Sequence, residues 1–114
     1  VYETEIIVQK GTMEIEVGEY EGALTEVSID GGEWESVVFA PYTRILGEVE
    51  AGTHTLRIRC YGTRINTFGQ LHNCNPKETY FGPTTWRTTG KNWCYTYRLH
   101  SWGILKAPVI RMYR

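Results

Sequence analysis

Apolar and polar side chains alternate along most of this chain with a period of two. In residues 54–61, Leu56, Ile58 and Cys60 occupy every second position between polar neighbours. Such alternation predicts β-strands that turn one face toward a core. The same criterion predicts about eight strands, which cover residues 2–8, 12–17, 23–30, 34–39, 42–49, 54–61, 94–100 and 105–113.

Turn residues separate these segments, and no long segment has the 3.6-residue period of a helix. Asp30-Gly31-Gly32 supplies the positive φ angles of a tight hairpin turn. Pro108 predicts an edge position for the last strand. The fold class predicted is all-β, an antiparallel β-sandwich of the jelly-roll type rather than a closed barrel.

Residues 61–93 interrupt the alternation. Glycine and proline recur throughout this segment, and its apolar residues follow neither period. Loops inside compact domains have a median length of about 4–6 residues, and much longer ones are often functional. The aromatic content argues against disorder. We therefore predict one long, ordered, aromatic-rich loop, and expect any special role to involve it.

Length and composition fit one globular domain. The 114 residues are 41% hydrophobic and 22% charged, so residues 1–114 are predicted to form a single domain that needs no disulfides. Strand-like segments at both ends, and Val1 in place of Met, are typical of a domain excised from a larger protein. No apolar run is long enough to span a membrane and no signal peptide precedes the first strand, so no membrane association is predicted.

Charge is distributed unevenly between the two halves. Residues 1–50 carry twelve acidic and two basic side chains, whereas residues 51–114 carry ten basic ones and Glu78. In a chain this short, we expect acidic strands of the first half to pair with basic strands of the second.

The three cysteines do not have the spacing of a disulfide framework. Cys60 is predicted to be a small buried residue. Cys74 and Cys94 could approach each other, and whether they pair is open. No CxxC or HxxxH spacing supports a metal site, so neither a metal nor another cofactor is predicted. Unpaired thiols slightly favour the cytoplasm, but the compartment stays open.

Several short motifs, in order, resemble one family. Residues 26–32 resemble a strand-turn V-x-V-N-G, residues 40–42 a following P-Y, and residues 51–58 a G-x-N-x-L-x-I motif. Residues 66–73 look like N-x-x-G-P-x-H with Gln70 in place of the proline, and residues 97–105 resemble a Y-x-L…G-I/L-L ending. This succession is similar to the galactose-binding-like β-sandwich domains of large bacterial glycoside hydrolases.

The resemblance implies a non-catalytic accessory module of a carbohydrate-active enzyme of the rhamnosidase or β-glycosidase kind. Its partners would be carbohydrate and the catalytic domain of the parent chain. Some relatives hold a structural calcium, but Asp30 is the only aspartate here and no calcium is predicted.

The residues themselves do not support catalysis. A glycosidase needs two carboxylates about 5–9.5 Å apart, and Glu78 has no evident partner in the long loop. A serine or cysteine nucleophile would need a base, and no nucleophile motif accompanies the histidines.

Carbohydrate binding needs flat aromatic faces and a few placed polar groups. The long loop contains both types, and the candidate ligand-binding residues are Arg64, Asn66, His72, Asn73, Trp86, Arg87 and Trp93. Each tryptophan could instead pack in a core or loop interior. For Asn66, Gly69, His72 and Asn73, a structural or docking role is favoured over direct sugar contact.

Two other function classes remain as alternatives. Tryptophan, tyrosine and arginine are also favoured at protein interfaces, which leaves a purely structural or protein-interaction domain open. Basic and aromatic residues alternate in 86–102, as single-stranded nucleic-acid binding requires. The acidic first half and the lack of a recognised motif argue against a nucleic-acid partner.

Overall fold

The computed structural model describes residues 1–69, 71–73, 75, 77 and 89–114. The chain divides into two compact units. The first, called the sheet unit, comprises Val1–Gly62 and Trp102–Arg114; the second, the loop unit, comprises Thr63–Ser101. The organisation of residues 1–114 as a single domain stays a prediction.

Nine strands and one short helix are found in the described residues. In chain order they are β1 (Tyr2–Val8), β2 (Gly11–Glu16), β3 (Tyr20–Glu21), β4 (Leu24–Ile29), β5 (Glu35–Val37), β6 (Thr43–Val49), β7 (Gly52–Tyr61), α1 (Ile65–Phe68), β8 (Gly103–Ile104) and β9 (Val109–Tyr113).

All strands belong to antiparallel sheets, which confirms the all-β prediction. A four-stranded sheet has the order β1-β7-β4-β5, a three-stranded sheet the order β6-β2-β9, and β3 pairs with β8. Strand β9 lies at an edge directly after Pro108, as the proline predicted.

One hydrophobic core joins side chains from both larger sheets. Ile15 on β2 and Val17 just beyond it pack with buried residues of the four-stranded sheet, namely Val27, Val37, Leu56 and Ile58. Leu56 and Ile58 are two of the residues that alternation placed on a core-facing strand side. Complete burial of one aliphatic side chain contributes roughly 1.5–3 kcal/mol, so this cluster is the main source of stability in the sheet unit.

The turn between β4 and β5 has the predicted geometry. Asp30 and Gly31 have φ angles of 51° and 74°, and the Gly32 N–H donates to the Ile29 carbonyl at 2.8 Å. Consecutive positive φ angles suit the right-handed twist of a hairpin, and only glycine and short polar residues adopt them readily.

Acidic side chains from the first half of the chain pair with basic side chains from the second half on neighbouring strands, as predicted. Glu26 lies opposite Arg59 in the β4–β7 register and bonds to its guanidinium. Glu14 lies opposite Arg111 in the β2–β9 register, and Arg111 bonds to both Glu14 and Glu16. Opposite charges in such positions stabilise a sheet.

The strand predicted at 94–100 is wrong. Its apolar residues Tyr95, Tyr97 and Leu99 are all exposed, so the alternation does not mark a core-facing strand. The backbone instead joins residues 71–72: Cys94 N–H donates to His72 O and Arg98 N–H to Leu71 O, each at 2.8 Å. The aromatic rings of this segment pack on neighbouring rings, and residues 94–100 form no strand.

Smaller corrections concern the strand ends and Cys60. The strand predicted at 105–113 begins only at Val109, as β9, because residues 105–108 up to Pro108 belong to no ladder; β8 (Gly103–Ile104) precedes the predicted segment. Residues 18–22, predicted as a connection, contain β3. Cys60 is half-buried rather than buried, since it lies near the end of β7 beside the Glu21 carbonyl.

Candidate functional site

The loop unit begins with a single helical turn. The N–H groups of Phe68 and Gly69 donate to the carbonyls of Arg64 and Ile65 at 2.8 Å each. A side chain at Gly69 would collide with the Ile65 carbonyl, so this close approach requires glycine. The turn gives Asn66 a fixed orientation.

Asn66 joins this turn to the end of the loop unit. Its Nδ2 donates to the His100 carbonyl and its Oδ1 accepts from the His100 N–H, both at 2.8 Å. The side-chain amide thereby forms the pair of bonds that a neighbouring strand would form. Both polar atoms of the Asn66 side chain are therefore bonded to the backbone of His100.

His72 and Asn73 fix the middle of the unit. Asn73 is almost fully buried, forms an isolated β-bridge with Trp93, and accepts the Asn75 N–H on its Oδ1 at 2.9 Å. The His72 Nδ1 lies 2.9 Å from the Cys94 carbonyl. A carbonyl only accepts, so Nδ1 carries the proton of that bond.

Four aromatic rings of the loop unit pack together. The aromatic cluster consists of His72, Trp93, Tyr95 and Tyr97. His72 stacks on Trp93 with centroids 5.6 Å apart and touches Tyr97 at 4.6 Å, while Tyr95 meets Trp93 edge-on at 4.2 Å. Tyr95 is 86% exposed and Tyr97 61% exposed, so the cluster presents ring surface to solvent.

The structure brings together only part of the predicted site. His72, Asn73 and Trp93 meet in and below the aromatic cluster. Arg64 is exposed and lies over the Phe68 ring at 5.9 Å. Trp86, Arg87 and Cys74 lie outside the described residues.

Tyr95 and Tyr97 belong to the cluster, but sequence reasoning placed them on a strand. The signal that could have identified them is the spacing of Trp93, Tyr95 and Tyr97 beside a histidine-containing loop. An alternating aromatic series suits a strand and an exposed ladder of rings equally well.

The loop unit has an excess of basic side chains. Residues 63–101 contain five basic side chains and one carboxylate, Glu78. Within the described ranges, no group of three His, Cys, Asp or Glu residues could hold a metal ion. The exposed rings of the cluster are flat apolar surfaces, and the Arg98 guanidinium of the same unit bonds to the Asn75 carbonyl.

A histidine–carboxylate pair in the sheet unit has a structural role. His54 Nδ1 lies 2.6 Å from Asp30 Oδ2, and His54 Nε2 lies 2.9 Å from the Glu50 carbonyl. Hydrogen bonding to Asp30, then to Glu50, raises the pKa of His54; the bond from His54, then that from the Thr55 N–H, lowers the pKa of Asp30. Both ring nitrogens face acceptors, so His54 joins two turns rather than serving as a base.

In the part of the chain that the structure covers, no helix is long and apolar enough to cross a membrane. No family model matches this chain, and no curated protein or solved structure matches it either. Its function must therefore be argued from its own residues.

Proposed function

We propose that this chain is a non-catalytic β-sandwich module of the jelly-roll type that binds carbohydrate weakly. In this proposal it is an accessory to the catalytic domain of a carbohydrate-active enzyme of the glycoside hydrolase kind. The shared core of the four-stranded and three-stranded sheets supports the sandwich. The motif resemblance supports the accessory role.

The observation that carries the binding role is the exposure of Tyr95 and Tyr97 within a fixed ring cluster. A sugar ring has apolar C–H faces that pack on aromatic faces, while its hydroxyl groups need donors and acceptors beside them. Trp93 and His72 hold the two tyrosines through ring contacts at 4.2 and 4.6 Å. Such preorganisation lowers the entropic cost of binding.

The basic charges of the loop unit indicate which class of sugar it would bind. Its basic excess favours an oligosaccharide that carries uronic acid carboxylates over a basic one. Arg98 lies in the same unit, where its guanidinium donates to the Asn75 carbonyl at 2.9 Å. The first screen should consequently compare neutral and uronate-containing polysaccharides.

The test is a titration of the 114-residue chain with that panel, followed by tryptophan fluorescence. We expect a saturable response to one sugar class. Tyr95→Ala and Tyr97→Ala should each weaken it roughly two- to tenfold, the value of one aromatic contact. Phe39→Ala is the matched control, because Phe39 is an equally exposed ring in the sheet unit.

A well-folded protein that responds to no sugar would contradict the carbohydrate proposal, as would equal losses from Phe39→Ala and Tyr95→Ala. The second candidate is a protein-interaction or structural module. A mostly apolar surface groove lined by Ile6, Ile7, Val8, Gln9, Ile110 and Met112 favours it, because contiguous exposed apolar surface marks interaction sites. That candidate would be supported if no sugar changed the fluorescence and the chain bound saturably to the parent enzyme's catalytic domain.

A further inference from the structure

The sheet unit contains an apolar cavity of its own. Its volume is about 450 Å³, within the roughly 300–1,000 Å³ of small-molecule sites. Strands β1 and β7 form one side, and β8, β9 and the segment between them form the other. The apolar wall comprises Ile6, Leu56, Ile58, Ile104 and Ile110.

Two of the polar side chains around this cavity already have partners. Glu3 pairs with Arg57 at 3.2 Å. The Thr4 hydroxyl donates to the Glu5 carbonyl at 3.3 Å. These groups offer little to a ligand.

The other two polar side chains are donors. The Tyr2 hydroxyl accepts the Ile104 N–H at 3.2 Å, which leaves its own O–H without an acceptor among the described residues. Lys106 is exposed and forms no ion pair in that same part of the chain. A phenol O–H and an ammonium beside an apolar wall are complementary to an anionic oxygen.

We propose that this cavity binds an amphiphile with an aliphatic chain and a carboxylate head group, of the fatty-acid type. The chain contacts the isoleucine and leucine wall, and the carboxylate accepts from Lys106 and Tyr2. Burial of each methylene contributes about 0.8 kcal/mol, so chain length sets affinity and the two donors set the preference for an anion. The site is independent of the proposed sugar-binding rings.

Calorimetric titration of the 114-residue chain with three probes of equal tail tests the head-group preference. The probes are decanoate, decanol and decyltrimethylammonium, each used below its micellar concentration. We expect one decanoate per chain, weaker binding of decanol, and the weakest binding of the cation. Decanol binding as tight as decanoate, or the absence of decanoate binding, would overturn the proposal.

Two substitutions test the donors. Lys106→Met keeps an apolar side chain of similar length and removes the charge; it should weaken decanoate roughly three- to tenfold and leave decanol unchanged. Lys10→Met is the matched control, since Lys10 is an exposed lysine of the same unit that pairs with Glu50. Unchanged decanoate affinity in Lys106→Met would refute the assigned head-group contact.

The wall is tested by Ala107→Trp, because Ala107 is an exposed residue that lines the cavity and a large ring there occupies its volume. All binding should be lost while the unfolding midpoint changes little. Methyl NMR signals of Ile6, Ile58 and Ile110 should move on addition of decanoate to the unmodified chain. Shifts confined to other methyl groups would overturn the location.

Discussion

The two units of this protein are held together by different interactions. The sheet unit has continuous backbone ladders around a core of aliphatic side chains. In the described part of the loop unit the backbone forms one short helix and one isolated bridge. There, side chains such as Asn66 and Asn73 satisfy backbone groups, and rings pack on rings.

The difference affects how exposed aromatic rings are held in each unit. In a ladder strand, side chains alternate between the two faces of the sheet, so the ladder decides which residues face the core and which face solvent. The loop unit obtains its order from hydrogen bonds to side chains. It can therefore keep Tyr95 and Tyr97 in solvent while Trp93 and His72 hold them in place.

The largest expected effect is a loss of stability when a core residue, rather than a surface residue, of the sheet unit is truncated. Ile15→Ala removes a fully buried side chain and should lower the free energy of unfolding by about 2–5 kcal/mol. Ile7→Ala is the matched control and should change it by less than about 0.5 kcal/mol, since Ile7 is exposed. Denaturant unfolding measures both, and similar losses would contradict the core described above.

A smaller and local effect is expected in the loop unit. Asn66→Ala removes both bonds to His100 and should destabilise that unit by about 1–3 kcal/mol. The His100 amide should exchange faster, whereas the Leu56 amide in the sheet unit should not. Asn66→Asp keeps the acceptor but sets a carboxylate oxygen against the His100 carbonyl, so it should also destabilise the unit; an Asp variant as stable as the unmodified chain would contradict the assigned pairing.

The smallest expected effect is the pH dependence of the His54–Asp30 pair. The pKa of His54 is raised above its ordinary value of 6.5, so its stabilisation is complete below that pH and is lost as pH rises through the folded-state pKa. The pKa of Asp30 is lowered from 3.8, so its contribution is present above that value and is lost as pH falls through the folded-state pKa.

Unfolding midpoints measured between about pH 6 and pH 9 should therefore fall with rising pH in the unmodified chain. His54→Gln should remove that fall, because glutamine does not titrate. An identical pH profile in the two proteins would show that another group is responsible.

The fold of the sheet unit could be predicted because its local sequence pattern and its tertiary packing favour the same strands and turns. In β7, alternation alone identified the inward residues Leu56 and Ile58, and Asp30-Gly31 identified the hairpin. In residues 94–100 the same alternation gave the wrong result, since Tyr95 and Tyr97 stack on neighbouring rings instead of facing a core.

Sequence by itself determined the all-β class and the pairing of acidic with basic strands. It did so because a two-residue period and turn chemistry are local properties of the chain. Tertiary structure alone decided that Asn66 holds His100 and that Trp93 supports Tyr95. It also decided that Lys106 and Tyr2 share one cavity. Asn66 and His100 are distant in sequence, as are Tyr2 and Lys106, so only the folded chain brings the members of each pair together.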